Sequence, residues 1–306
     1  MNQALLEHAT HTMAAGSKSF ASAARLFARP TRRGALMLYA WCRHCDDVVD
    51  GQALGFPQAD TDARTPQQRL AELQRQTRLA YTGVPLQVPA FAAFQAVVSE
   101  HDIPLQLALD HLEGFAMDVR GEHYESLDDT LRYCYHVAGV VGLMMAQVMG
   151  VREQAALDRA CDLGLAFQLT NIARDIVEDA LAGRCYVPLA WLREAGIDPA
   201  QLAAPAQREA LAEVAQRLVA AAEPYYASAR AGLSALPWRS AWAIATARGV
   251  YRAIGVKVRN AGARAWDQRQ GTHGGEKLAL LLRGAAVTVV SRGPAPPRLA
   301  TLWQRP

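Results

Sequence analysis

Apolar positions recur at steps of three and four along most of this chain, against a background rich in Ala, Leu, Arg and Gln, while strand-like alternation is nearly absent. The pattern predicts an all-α fold, with helices over 17–28, 32–50, 66–82, 88–100, 104–119, 127–149, 152–181, 206–235, 237–269 and 275–287. Prolines such as Pro30, Pro89, Pro104, Pro205 and Pro237 fall between or at the starts of these runs, where a missing amide hydrogen costs least. No long linker divides the chain, so a single domain over residues 1–306 is expected. Residues 51–65, with Gly51, Gly55 and Pro57, read as a surface loop and candidate lid, and the Pro-rich residues 293–306 as a poorly ordered tail.

Two acidic clusters interrupt the apolar periodicity with matched spacing: Asp46-Asp47-Val48-Val49-Asp50 and Asp175-Ile176-Val177-Glu178-Asp179. In each, the outer aspartates are four apart and project from one helical face. Crowded carboxylates on an apolar helix repel one another and resist losing water, so a chain that only has to fold gains nothing from them. Cations remove that objection. Oxygen ligands without a nearby His or Cys set suit Mg²⁺ or Mn²⁺, and Mg²⁺ commonly shares its sphere with substrate phosphate. On the first stripe Tyr39, Arg43, Asp46 and Asp50 follow one another; on the second, Gln168, Asn171, Asp175 and Asp179, with Arg174 alongside. A lone stripe of this kind is most often a solvated face, but two matched ones on apolar helices favour a metal and phosphate site.

Composition narrows the field. With 306 residues and 51% hydrophobic side chains the chain can bury a large core. Its net charge of +3 is small, and the arginines are scattered, so nothing points to a nucleic-acid partner. Five cysteines without regular spacing do not make a disulfide framework, and the start of the chain lacks a signal-peptide pattern, which fits a reducing cytoplasm. Cys42 and Cys45 have redox-motif spacing but read as packing residues of a helix. The most apolar late run, from Leu278 to Val290, is shorter than the roughly 20 residues a membrane span needs.

Between the acidic clusters, the run 133–142 (Tyr133-Cys134-Tyr135-His136-Val137-Ala138-Gly139-Val140-Val141-Gly142) is apolar almost all round. Its glycines serve either close helix packing or the wall of a hydrocarbon cavity. His136 reads as a satisfied core histidine.

These blocks, together with Ser17-Lys18-Ser19-Phe20, Leu38-Tyr39-Ala40-Trp41-Cys42-Arg43, Gln168-Leu169-Thr170-Asn171-Ile172 and Gly183-Arg184-Cys185-Tyr186-Val187-Pro188, resemble the squalene/phytoene synthase family over nearly the whole length. The resemblance implies an isoprenoid-synthase helical bundle around a central cavity. It implies head-to-head condensation of two geranylgeranyl diphosphates to phytoene, through a cyclopropylcarbinyl diphosphate, without NADPH. Asp46, Asp50, Asn171, Asp175 and Asp179 are similar to the family's Mg²⁺ ligands. Ser17, Lys18, Ser19, Tyr39, Arg43, Gln168, Arg174, Arg184 and Tyr251 resemble residues that hold diphosphate or line its pocket, with Tyr251 also a candidate for the reaction itself. Phe20, Tyr133, Val137 and Gly142 resemble residues of the tail channel. Asp47 and Glu178 point away from their motif partners.

A squalene or dehydrosqualene synthase acting on farnesyl diphosphate, and a non-catalytic helical assembly factor, are the competing readings. A hydrocarbon product has nowhere aqueous to go, so peripheral contact with a membrane is expected; oligomeric state is left open.

Overall fold

The structure, a computed structural model, describes residues 3–53, 56–57 and 63–306, without the side chains of Lys18, Ser19, Gln52, Ala53, Phe56 and Pro57. Residues 54–55 and 58–62 of the candidate lid therefore lie outside the described residues. The helices are α1 (Gln3–Gly16), α2 (Lys18–Ala24), α3 (Arg29–Asp50), α4 (Pro66–Leu79), α5 (Pro89–His101), α6 (Leu105–Val119), α7 (Leu127–Cys134), α8 (Val140–Val148), α9 (Gln154–Leu181), α10 (Leu189–Glu194), α11 (Arg208–Ala231), α12 (Trp238–Ala261) and α13 (Gly274–Val290). Beyond these and short helical turns, two two-residue strands, Gln52–Ala53 and Phe56–Pro57, pair antiparallel after α3. The all-α expectation holds.

Local chemistry sets most boundaries. Ser17 caps α2 by accepting from the Phe20 amide at 3.3 Å, and Thr65 and Ser126 form reciprocal capping boxes for α4 and α7. Helix α3 stops at Gly51, whose φ of 64° is left-handed, and α12 stops at Gly262, φ 56°, before the predicted limit of 269. The expected helix 127–149 is instead α7, a π-helical turn at Tyr135–Gly139, and α8.

Long α9 is the axis. It packs on α8 and the π turn on one side and on α11 and α12 on the other, and one continuous hydrophobic core joins them. Gly142 and Gly164 let α8 and α9 approach backbone to backbone: a Cβ on Gly142 would strike the Ala160 carbonyl, and one on Gly164 the Ala138 carbonyl. Gly139 faces Cys161, at 3.0 Å from where its Cβ would be. Close packing is thus realised at both Gly139 and Gly142.

The C-terminal stretch corrects an expectation. Residues 293–306 are not a loose tail but strap α9 and α11. Arg298 donates from Nε and from its terminal nitrogen to the two oxygens of Asp162, at 2.9 and 2.8 Å, and Ser228 Oγ adds a third bond at 2.6 Å. Asp162 is 0% exposed, and an unpaired carboxylate there would cost several kcal/mol, on the order of 3–5. Leu302 is buried, and Arg305 reaches Asp158 at 2.8 Å.

Candidate active site

A cavity of about 510 Å³ runs along α3, lined on that helix from Ala35 through Leu38, Tyr39, Cys42, Arg43 and Asp46 to Asp50. At 1.5 Å per residue this is a length of about 22 Å. One end is apolar, walled by Phe27, Leu233 and Leu236; the other carries Asp46, Asp50, Asn171 and Arg184. Ser17, Phe20, Tyr133, Val137, Gly142, Gln168 and Tyr251 all line the cavity. Gly142 therefore serves both as packing contact and as wall. The side chains of Lys18 and Ser19 lie outside the described residues.

The charged end is where α3 and α9 both terminate, and neither has a basic residue in its last turn. Carboxylates at the negative ends of two helix dipoles demand cations from elsewhere. Arginines answer part of that demand. Arg43 contacts Asp46 at 2.9 Å and Asp47 at 3.1 Å. Arg174 grips its neighbour Asp175 at 2.8 and 2.5 Å, and Arg269 reaches Asp175 at 3.0 Å and Glu178 at 3.2 Å. Arg184, just past the end of α9, places both terminal nitrogens on Asp50 of α3, the longer contact being 3.3 Å. It ties the loop after α9 directly to the end of α3. Arg174, Asp175 and Asp179 are not part of the cavity lining.

The remaining carboxylates are short of counter-charge. Burial, with the like charges of Asp175 and Glu178, pushes the Asp179 carboxyl up to about 7, and Asp179 has no ion pair among the described residues. Asp46 is pushed up to about 6, by burial first and then by Asp50 and Asp47 against the pull of Arg43. Its side chain, 39% exposed, lines the cavity. Asn171 donates to Gln168 at 3.3 Å while its buried Oδ1 has no partner. Among the described residues no three His, Cys, Asp or Glu side chains converge on one point.

The structure adds residues the sequence reading passed over. Asp118 on α6 accepts from Tyr186 at 3.0 Å and Tyr133 at 3.2 Å, whose rings stack 4.4 Å apart, and burial pushes its carboxyl up to about 6. The signal available was one acid ending the apolar arc of α6. Phe167 stacks on Tyr251 at 4.2 Å, and Phe20 lies 5.6 Å from Tyr251 and 6.3 Å from both Phe167 and Tyr39. These four rings form one aromatic stretch of the cavity wall. Burial raises the Tyr251 phenol, and Tyr39 to about 12, so both keep their protons. His136 is satisfied, its Nδ1 2.8 Å from the Asp110 carbonyl, and Cys42 and Cys45 are free thiols pushed up by burial.

An apolar channel with an aromatic stretch of wall, ending in arginine-flanked carboxylates inside a helical bundle, defines a prenyltransferase of the isoprenoid-synthase fold. The chain matches the squalene/phytoene synthase family over residues 13–274 and belongs to it. It is 64% identical to the 15-cis-phytoene synthase of Pantoea ananas over 100% of this chain and 99% of that one. It is 52% identical to that of a Paracoccus strain, over 97% and 96% of the two chains. Among solved structures, a dehydrosqualene synthase in complex with a ligand superposes with a TM-score of 0.84 at 26% identity, covering 94% of this chain and 98% of that one. A squalene synthase of Alicyclobacillus acidocaldarius, at 24% identity and TM-score 0.74, shares the fold.

Proposed function

We propose that this chain joins two molecules of geranylgeranyl diphosphate through their C1 ends to make phytoene, releasing two diphosphates, as a step of carotenoid biosynthesis. The observation that carries the proposal is the polarity of one continuous cavity. Its long apolar channel suits a prenyl tail, and its far end gathers Arg43, Arg184, Asp46, Asp50 and Asn171 where a diphosphate would rest. Near-full-length identity to two 15-cis-phytoene synthases supports the substrate and the product.

The donor set fits a hard divalent cation. It is all oxygen; Asn171 Oδ1 is buried without a partner, and the half-buried Asp179 lacks an ion pair among the described residues. Asp46, Asp50, Asn171, Asp175 and Asp179 would hold Mg²⁺ or Mn²⁺, which when bound neutralises charge on the leaving diphosphate.

The residues of the chain do the rest. Arg43, Arg174 and Arg184 orient diphosphate with their planar forks, helped by Ser17 and Tyr39 at the cavity wall. When the C1–O bond of the first substrate breaks, its electron pair leaves with diphosphate and an allylic cation remains. Phe20, Phe167 and Tyr251 present ring faces to that cation and keep water away. The double bond of the second substrate attacks C1, and proton loss closes the cyclopropane. Loss of the second diphosphate, rearrangement and a further proton loss give the central double bond without any reductant. Burial keeps the Tyr39 and Tyr251 phenols protonated, and departing diphosphate is the candidate acceptor. Tyr133, Val137 and Gly142 shape the wall along which the tails lie.

The test offers purified protein geranylgeranyl and farnesyl diphosphate together, with Mg²⁺ and no reductant, and follows consumption of each. Preferential use of geranylgeranyl diphosphate is expected. Preferential use of farnesyl diphosphate would transfer the assignment to the shorter-chain members of the family, and no use of either would favour a non-catalytic role.

A further inference from the structure

Helix α13 is apolar on both sides. Its inner face seats on α12: a Cβ on Gly284 would strike Thr246 Oγ1, Thr288 is fully buried, and Trp242 Nε1 donates to the Leu281 carbonyl at 2.8 Å. Its outer face carries Leu278, Leu282, Val289 and Val290, which are 58, 63, 59 and 67% exposed, with Ala286 between them. That is an apolar stripe just over three turns long facing water, on a helix whose composition ordinarily means burial on all sides. Half of the eight exposed large hydrophobic residues described in the chain lie on this one helix.

The surroundings are basic. From residue 236 to the C-terminus the chain holds twelve Arg and Lys against two acids, Asp267 and Glu276, although its total net charge is only +3. Residues 8–45 add six basic residues and no acid. These stretches meet beside the stripe. Arg239 at the start of α12 donates to the Leu26 carbonyl at 2.7 Å, and Arg292, just past α13, donates to the Leu236 carbonyl at 2.8 Å while lying over the half-exposed Trp238 ring. Lys277 and Arg283 on α13, and Arg25 and Arg29 at the junction of α2 and α3, have no ion-pair partner among the described residues.

The same corner overlies the apolar end of the cavity. Phe27 and Leu236 line the cavity and adjoin Leu26, Arg239 and Arg292. Helix α12 stands between the cavity and α13, turning Ala243, Ile244 and Ala247 inward and Trp242 and Thr246 toward α13. The match to the family ends at residue 274, where α13 begins.

We infer that the outer face of α13, with Trp238 and the basic rim of Arg25, Arg29, Arg239, Arg283 and Arg292, docks on an anionic lipid bilayer. The helix then lies in the plane of the headgroups, since no described helix is long and apolar enough to cross the membrane. Apolar side chains enter the acyl boundary while guanidinium groups meet lipid phosphates. A second copy of this chain is the poorer occupant, because it would bring a surface of the same positive charge. The inference rests on the proposed function only in its purpose, which is to deliver a hydrocarbon from the apolar end of the cavity into lipid.

The test is flotation of the full-length protein, without substrate, on vesicles of phosphatidylglycerol or of phosphatidylcholine. Binding to phosphatidylglycerol is expected, with an affinity about tenfold lower in Leu282→Ser/Val289→Ser. It should fall about fivefold for each of Arg25→Gln and Arg283→Gln, and weaken with salt. All of these variants should turn over detergent-dispersed substrate at the unaltered rate, which shows that they are folded. Vesicle binding unchanged in the stripe variants would overturn the proposal, as would a protein that turns over substrate but ignores both vesicles. Self-association lost in the stripe variants, with no vesicle binding, would assign the surface to a second copy instead. Loss of turnover in every protein with intact vesicle binding would count against the proposed reaction and leave the docking surface standing.

Discussion

Arg184 holds Asp50 with both terminal nitrogens across 134 residues of sequence, joining the loop that ends the second acidic helix to the last residue of the first. Each helix ends in carboxylates that its own dipole disfavours, so the pair couples the two halves of the charged site. Arg184→Gln should lower kcat/KM about a hundredfold while leaving the far-UV circular dichroism unchanged. Arg184→Lys keeps the charge but not the fork, and should recover only part of the loss, measured by diphosphate release at fixed Mg²⁺.

Asp50→Ala and Asp175→Ala should each reduce turnover by a thousandfold or about that, with helical content retained. Asp175→Ala also frees Arg174 and Arg269, which both contact that carboxylate. Near-normal rates in either variant would remove the metal-holding role proposed for these side chains.

Gly142→Ala should cost about 1–3 kcal/mol of stability in urea unfolding, because the new methyl meets the Ala160 carbonyl on a helix that cannot give. Gly271→Ala, where nothing lies within 4 Å, serves as the neutral control.

His111 supplies a pH test of the core. It lies buried between Trp41 and Phe115, at ring distances of 5.3 and 5.1 Å, and burial lowers it from 6.5 to about 4. The unfolded chain takes up this proton below 6.5 and the folded chain does so only near 4, so His111 stabilises the neutral-pH fold and loses that contribution as pH falls through the interval. Wild type should lose about 1.4 kcal/mol per pH unit there, relative to His111→Phe. Comparing the two proteins removes the opposing effect of Asp46 and Asp179, whose raised values act in the other direction.

What the sequence disclosed followed from spacing. The stripes Tyr39, Arg43, Asp46, Asp50 and Gln168, Asn171 reach the cavity because four-residue steps on α3 and α9 have one geometric outcome. The contacts formed across elements were less visible. Phe167 looks like any core aromatic until it is seen to stack on Tyr251, and Asp118 gains meaning only from two tyrosines on other segments. The packed C-terminal strap was misread because proline content speaks of local stiffness, whereas its order comes from Asp162, a buried carboxylate requiring Arg298. Helix α1 escaped notice because its run of Ala, His and Thr has weak apolar periodicity, although Ala9, Thr12 and Met13 are buried.

The most direct test of the central claim is a mass spectrum of the hydrocarbon made from geranylgeranyl diphosphate by the purified protein with Mg²⁺ and no reductant. The account predicts phytoene as the sole coupled product, with two diphosphates released for each molecule formed. A product formed only from farnesyl diphosphate, or one that appears only when NADPH is added, would contradict it.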